Sequence, residues 1–296
     1  MALDYEQYLS EKLKALYFGN EKLCNLIQSD KELIFAVRKD EIHIYYLGGR
    51  ILKITKSYDK LKFSFDWKYA RKEKGSDEFN EYSDTLKMLN DNPYDVDLWI
   101  KHFKVLKHCM ENFRKNVSHN AERQLQQELE LANRDFNGEV IVVDNEYGVR
   151  QEHNRSSKLC KVDLVTIYKD SGKYKICLVE LKRGGGAIGG KAGIAEHIGD
   201  FDVFLKKRKP DIIASINNLI EYKKSNHSLF NVPDGIKISE DTDICVSILC
   251  YDLPEQQWSR TLSLIEEKRK EINFDLHCNI KLNSKCLGLS KKDILG

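Results

Sequence analysis

Two acidic residues and a lysine occur in neighbouring apolar segments whose spacing suits a strand hairpin. Asp163 lies in the first segment, Glu180 and Lys182 lie in the second, and Ser171-Gly172 stands between them. Pairing of the segments about this turn places Asp163 directly opposite Glu180, on one face of the sheet. Because side chains alternate along a strand, Lys182 points to the same face as Glu180.

This arrangement predicts a metal-dependent hydrolytic site. Two facing carboxylates with apolar neighbours repel each other and are costly to bury unpaired, so we expect a cation between them. Mg²⁺ (or Mn²⁺) is bound by one or two carboxylates together with water and phosphate oxygens, and the backbone carbonyl of Leu181 is a further expected ligand. Such an ion polarises a phosphoryl oxygen and activates water, while Lys182 positions that water or stabilises developing charge.

The same residues resemble a known family. Asp163, followed by Glu180-Leu181-Lys182 at the end of the next strand, with a Glu-bearing helix before and a helix after, is similar to the PD-(D/E)XK nuclease superfamily. The resemblance covers roughly residues 119 to 255. It implies a restriction-endonuclease-like αβββαβ core, Asp163 and Glu180 as metal ligands, and Lys182 as the catalytic lysine. Val162 stands where the family name has proline, a replacement that the superfamily often shows.

Further residues are candidates for the same site. Glu122 and Glu128 both lie on the preceding helix, and we favour Glu122 because it shares a helix face with Gln126. Lys191 and His197 are candidate accessory groups. In the alternative interpretation there is no catalytic site: Asp163 pairs with Lys161 or Lys182, and Glu180 is exposed to solvent.

A glycine-rich segment offers a second function. Residues 183–192 (Arg-Gly-Gly-Gly-Ala-Ile-Gly-Gly-Lys-Ala) partly match two nucleotide-binding patterns. Ala192 stands where a phosphate-binding loop needs a hydroxyl, so nucleoside triphosphate binding is the less favoured function. A third hypothesis is a non-catalytic nucleic-acid-binding or sensor module on the nuclease fold.

The surrounding pattern predicts an α/β (mixed α+β) protein. We expect an N-terminal α+β domain with an antiparallel hairpin over residues 1–78, a helical connector over 79–118 and the nuclease-like domain over 119–296. Its core is expected to be an αβββαβ mixed sheet flanked by helices. The sequence Ile44 to Gly49 (IYYLGG) has a turn signal at Gly48-Gly49, and uncharacterised bacterial proteins with this hairpin resemble the whole chain.

Composition limits the choice of partner and compartment. The chain has 48 Lys and Arg against 46 Asp and Glu, so any nucleic acid, with DNA the expected substrate, must meet local positive charge. The basic run 206–209 is interpreted as a solvated face that can also contact phosphate. No apolar run approaches the length of a membrane span and no secretion signal is apparent, so we expect a cytoplasmic protein without a membrane partner; a homo-oligomer is compatible with the sequence. The 8 scattered cysteines are expected to be structural.

Overall fold

The structure is a computed structural model that describes residues 7–71, 78–115, 121–135, 139–150, 159–184, 193–229, 231–281 and 287–296. These residues form two compact units. The N-terminal unit contains residues 7–127 with 225–228, and the C-terminal unit contains the described residues of 128–224 and 229–296. The division falls inside a helix, between Gln127 and Glu128, so the expected helical connector over 79–118 belongs to the N-terminal unit.

The N-terminal unit combines a four-stranded antiparallel sheet with five helices that begin and end within it. The strands occur in the order β1-β2-β3-β4. Its elements are α1 (Glu11–Phe18), α2 (Glu21–Ser29), β1 (Ile34–Arg38), β2 (Glu41–Tyr46), β3 (Gly49–Ser57), β4 (Lys60–Ser64), α3 (Ser83–Asp91), α4 (Val96–Lys101) and α5 (Phe103–Lys115). Of the aromatic residues on these strands, Tyr45, Tyr46 and Phe63 are buried, which agrees with a core role.

The turn between β2 and β3 lies one residue earlier than predicted. Tyr46 pairs with Gly49, so Leu47 and Gly48 form the turn, with φ of 46° and 71°. Gly49 instead begins β3, where a Cβ atom would lie 2.0 Å from the hydroxyl of Tyr69. The second glycine is therefore required by close packing, and the predicted Gly48-Gly49 turn was wrong by one position.

The C-terminal unit carries a five-stranded mixed sheet in the order β5-β6-β7-β8-β9. The first three strands are antiparallel, whereas β7, β8 and β9 are parallel. The elements from the unit boundary onward are α6 (Ala121–Ala132), β5 (Val140–Arg150), β6 (Leu159–Asp170), β7 (Lys173–Arg183), α7 (Ile194–Ser225), β8 (Ile244–Tyr251), α8 (Trp258–Arg269), β9 (Leu276–Lys281) and α9 (Lys291–Leu295). The order αβββαβ and the α/β class are as predicted.

Two elements continue past residues that commonly end them. Strand β5 extends beyond its apolar run to Arg150 through a bulge between Val142 and Asp144. Helix α7 continues through Pro210. Proline cannot donate the amide hydrogen that would bond one turn back, but buried apolar residues on both sides keep the helix packed. No helix among the described residues is long and apolar enough to cross a membrane.

The predicted pairing of β6 with β7 is confirmed. Ser171 and Gly172 form the turn, with φ of 48° and 83°, and the register runs from Asp170↔Lys173 to Leu164↔Val179. The paired region ends one position before Asp163 and Glu180, so the predicted alignment of these two residues stays a prediction. Local turn chemistry and strand alternation set the register of the paired region.

Candidate functional site

Glu180 lies near the end of β7, in the interior of the C-terminal unit. Its neighbours along the strand are apolar because β7 is a central strand, paired with β6 on one side and with β8 on the other. The side chain is only 2 % exposed. A carboxylate buried to this degree requires charged or hydrogen-bonding partners.

Two nitrogen groups meet one oxygen of Glu180. Lys182 donates from Nζ to Oε1 at 2.6 Å and is itself 5 % exposed. The Nδ1 atom of His197, in the first turn of α7, lies 3.2 Å from the same oxygen. Because Lys182 follows Glu180 by two residues, both side chains point to the face that α7 covers.

Asp163 contacts the same strand through the backbone. The amide of Leu181 donates to its Oδ2 atom at 2.7 Å, one residue beyond Glu180. The carboxylate makes this contact just beyond Leu164↔Val179, where the pairing of β6 with β7 ends. Asp163 is half-buried, so the pair consists of one shielded and one partly accessible carboxylate.

We define the β7 site as Asp163, Glu180, Leu181, Lys182 and His197. The structure brings together these five predicted residues, from two strands and one helix. The alternative in which Glu180 is solvent-exposed is wrong, because β8 and α7 enclose it. That alternative also paired Asp163 with a lysine. The structure does contain a lysine–acid pair, but its members are Lys182 and Glu180.

The donor set is compatible with a hard divalent ion. Among the described residues, no group of three His, Cys, Asp or Glu side chains is arranged to hold a metal. Mg²⁺ does not need such a group, because it binds through one or two carboxylates and completes its shell with water and phosphate oxygens. The carboxylates of Asp163 and Glu180 and the carbonyl of Leu181 are the oxygen ligands that this strand end can offer.

The helix acids are placed differently from one another. Glu122 is half-buried in the N-terminal unit, and Glu128 is half-buried at the start of the C-terminal unit. Lys191 and Gly185 to Ala192 of the glycine-rich segment lie outside the described residues.

Sequence reasoning missed a buried acid on the same helix. Glu130 bonds the ammonium of Lys223 and accepts a hydrogen bond from the Asn145 amide at 2.5 Å. Lys223 also lies 4.0 Å from Asp144, and all four side chains are buried. We call these four residues the Lys223 cluster. The spacing of Glu122, Gln126 and Glu130 on one helix face was the signal that could have identified Glu130.

The cluster supplies buried charge within the same unit as the β7 site. It joins α6, β5 and α7, elements that are far apart in the sequence. Lys223 pairs with Glu130 and lies near Asp144, and Asn145 donates to the second oxygen of Glu130. We therefore assign this cluster a structural role.

Comparisons with known proteins identified no relatives: no family model, no curated protein and no solved structure matched the chain.

Proposed function

We propose that the C-terminal unit is a divalent-metal-dependent nuclease that hydrolyses phosphodiester bonds, with DNA as the first substrate to test. The observation that carries the proposal is the buried Glu180 carboxylate, bonded to Lys182 at 2.6 Å, while the amide of the next residue, Leu181, donates to Asp163 on the adjoining strand. Paired carboxylates with an adjacent ammonium are the groups that metal-assisted phosphodiester hydrolysis uses.

Each residue has a distinct role in this proposal. Asp163 and Glu180 would hold the ion, together with the Leu181 carbonyl. When bound, the ion polarises the phosphoryl oxygen and lowers the pKa of its bound water, which supplies hydroxide to attack phosphorus. Lys182 orients that water or stabilises the negative charge that develops on the phosphoryl group. His197 holds the Glu180 carboxylate in place from α7, as their 3.2 Å separation allows.

The test uses purified protein with plasmid, single-stranded DNA and RNA, each with Mg²⁺, Mn²⁺ or a chelator. We expect cleavage only with metal. Asp163→Asn and Lys182→Ala should each lower the cleavage rate by about a hundredfold or more, as expected when one charge-stabilising group is removed from a site.

Matched controls come from the other end of the same hairpin. Asp170 and Lys175 form a 2.7 Å ion pair at its surface, so Asp170→Asn and Lys175→Ala change the same residue types without touching the β7 site. Both controls should keep wild-type cleavage. Circular dichroism spectra of all four variants should match the wild type. Metal-dependent cleavage that survives Asp163→Asn and Lys182→Ala would disprove the assignment.

One observation favours a second candidate, a non-catalytic nucleic-acid-binding module. Lys182 and His197 already balance Glu180 from within the protein. Such a module would bind DNA or RNA equally well with metal and with chelator and would cleave neither. Binding that strengthens with Mg²⁺, accompanied by cleavage, separates the nuclease from this alternative.

A further inference from the structure

A pair of thiols lies on the face of the sheet opposite Glu180. Cys177 on β7 and Cys245 on β8 are direct partners in the parallel register. Because they are aligned on neighbouring strands, their side chains project from the same face. Both are free thiols, and the region around them is buried.

The backbone spacing suits a disulfide. Neighbouring strands lie about 4.8 Å apart, so aligned Cα atoms are separated by roughly that distance. This lies within the range of about 4.4–6.8 Å that disulfides span. Joining the two sulfurs therefore requires side-chain rotation and little movement of β7 or β8.

Polar groups surround the sulfur of Cys245. The Tyr168 hydroxyl lies 3.8 Å from it, and the carbonyl of Ile176 lies 3.5 Å from it. Cys245 thus lies beside a hydroxyl that can donate to its sulfur and a carbonyl that accepts from its thiol, and it is aligned with a second cysteine.

We propose that Cys177 and Cys245 are an oxidisable dithiol that closes to an intramolecular disulfide on reaction with a peroxide. Cys245 is the attacking residue, since it is 6 % exposed and Cys177 is fully buried. This inference does not depend on the proposed nuclease function, because none of its residues belongs to the β7 site.

The reaction balances in two steps. The Cys245 thiolate attacks one peroxide oxygen, the O–O bond breaks, and a sulfenic acid forms; the released hydroxide takes the thiol's proton and leaves as water. The Cys177 sulfur then attacks the sulfenic sulfur. The S–S bond forms, the S–O bond breaks, and a second water leaves with the Cys177 proton. The two thiols are oxidised by two electrons and the peroxide is reduced to two waters.

The surroundings of Cys245 favour the first step. Hydrogen bonds, chiefly from the Cys177 thiol and then from His277 and Tyr168, outweigh burial and lower the pKa of Cys245 to about 6. Burial raises the pKa of Cys177 well above its ordinary value. A lowered pKa increases the share of Cys245 present as thiolate, which is the form that reacts with peroxide.

A second thiol pair on the same strands supplies a control. Cys250 on β8 and Cys278 on β9 are another two cysteines on neighbouring strands. However, Cys250 aligns with Ile280, and Cys278 aligns with Ile248, so the two cysteines are two positions out of register. An offset of two residues at about 3.3 Å each, combined with the strand spacing, separates their Cα atoms by roughly 8 Å. That exceeds the distance of about 7 Å beyond which a disulfide needs backbone movement.

The experiment treats the reduced full-length protein with hydrogen peroxide, blocks the remaining thiols with N-ethylmaleimide and digests the protein with trypsin. We expect mass spectrometry to find segments 176–182 and 238–260 joined, with a loss of two hydrogens, and to find them separated after reduction with dithiothreitol. Segment 238–260 contains both Cys245 and Cys250, so variants identify the partner. The bridge should persist in Cys250→Ala and disappear in Cys245→Ala.

Three outcomes would overturn the proposal. One is the retention of both thiols after peroxide treatment of the wild type. Another is a bridge that joins segment 238–260 to segment 271–281, which contains Cys278. The last is a Cys245 oxidised to sulfinic or sulfonic acid with Cys177 still alkylated. Since each is measured on the wild type, a variant that fails to fold leaves the result intact.

Discussion

At the scale of single residues, two buried carboxylates of the C-terminal unit are each bonded to a buried lysine. Glu180 is paired with Lys182, and Glu130 with Lys223. A buried ion pair contributes little net stability compared with apolar residues, but breaking it leaves an uncompensated charge. Replacing either lysine should therefore lower the free energy of unfolding, and Lys182→Ala is assayed under conditions in which its circular dichroism spectrum still matches the wild type.

Replacement of Lys223 tests this statement apart from the β7 site. Lys223→Met removes the charge that balances Glu130 and lies 4.0 Å from Asp144. The free energy of unfolding should fall by about 3–5 kcal/mol, measured by urea denaturation. The neighbouring Lys224 bonds the exposed Asp234 at 3.2 Å, so Lys224→Met should cost about 1 kcal/mol or less. Similar losses for the two variants would contradict the structural role of the Lys223 cluster.

His43 in the N-terminal unit makes stability depend on pH. Burial is the main cause that lowers its pKa from 6.5 to about 4, against the opposing hydrogen bond with Glu41. The unfolded chain therefore binds more protons than the folded protein between these two values, so stability is lost as the pH falls from about 6.5 to about 4.

The measurement is the free energy of unfolding at a series of pH values. The contribution of His43 should be on the order of 3 kcal/mol, since one pKa unit corresponds to about 1.4 kcal/mol. His43→Gln should flatten the dependence between pH 6.5 and about 4. A variant whose stability varies with pH as steeply as the wild type would show that other groups cause the loss.

At the scale of elements, the two hairpins are organised by different constraints. The β6–β7 turn needs only backbone conformations with positive φ, and an added Cβ at Gly172 meets open space. At the β2–β3 hairpin, close packing requires the glycine after the turn, because Tyr69 of the same unit occupies the volume that a Cβ atom would need. A turn signal in a sequence therefore does not distinguish a glycine that turns from a glycine that packs.

Alanine substitution separates the two effects of glycine. In Gly49→Ala the new Cβ would lie 2.0 Å from the Tyr69 hydroxyl and 2.8 Å from Met110. We expect a loss of about 1–3 kcal/mol in unfolding free energy from overpacking. Gly199 lies inside α7 with open space around an added Cβ, so Gly199→Ala should stabilise by about 0.5–1 kcal/mol. Equal effects of the two substitutions in chemical denaturation would argue against the packing explanation.

At the scale of the whole molecule, near-equal numbers of basic and acidic residues reflect local pairing. In the basic run at 206–209, Lys206, Arg208 and Lys209 are each paired with an aspartate, at 2.7–2.9 Å. These pairs support the interpretation of the run as a solvated face rather than as a strong phosphate-binding patch.

Removal of a whole pair tests whether this face meets nucleic acid. The double variant Lys209→Ala/Asp243→Ala deletes a neutral 2.9 Å pair at the surface. Its DNA affinity, measured by fluorescence anisotropy in chelator, should show the wild-type dependence on salt. A plot of log K against log salt whose negative slope is shallower by about 0.9 would instead identify Lys209 as a phosphate contact.

Three features follow from the amino-acid sequence: the mixed α/β class, the αβββαβ order and the β6–β7 register from Leu164↔Val179 to Asp170↔Lys173. These features depend on turn residues and strand alternation, which act over a few neighbouring positions. The same local rules placed Lys182 on the face of Glu180.

Only the tertiary structure decided which distant residues share a buried site. His197 meets Glu180, and Glu130 meets Lys223 and Asn145, because helices pack on the sheet at positions that no local pattern encodes. Packing also keeps α7 helical through Pro210 and extends β5 beyond its apolar run. In each case buried area and charge balance, which sum over the whole fold, outweighed the preferences of neighbouring residues.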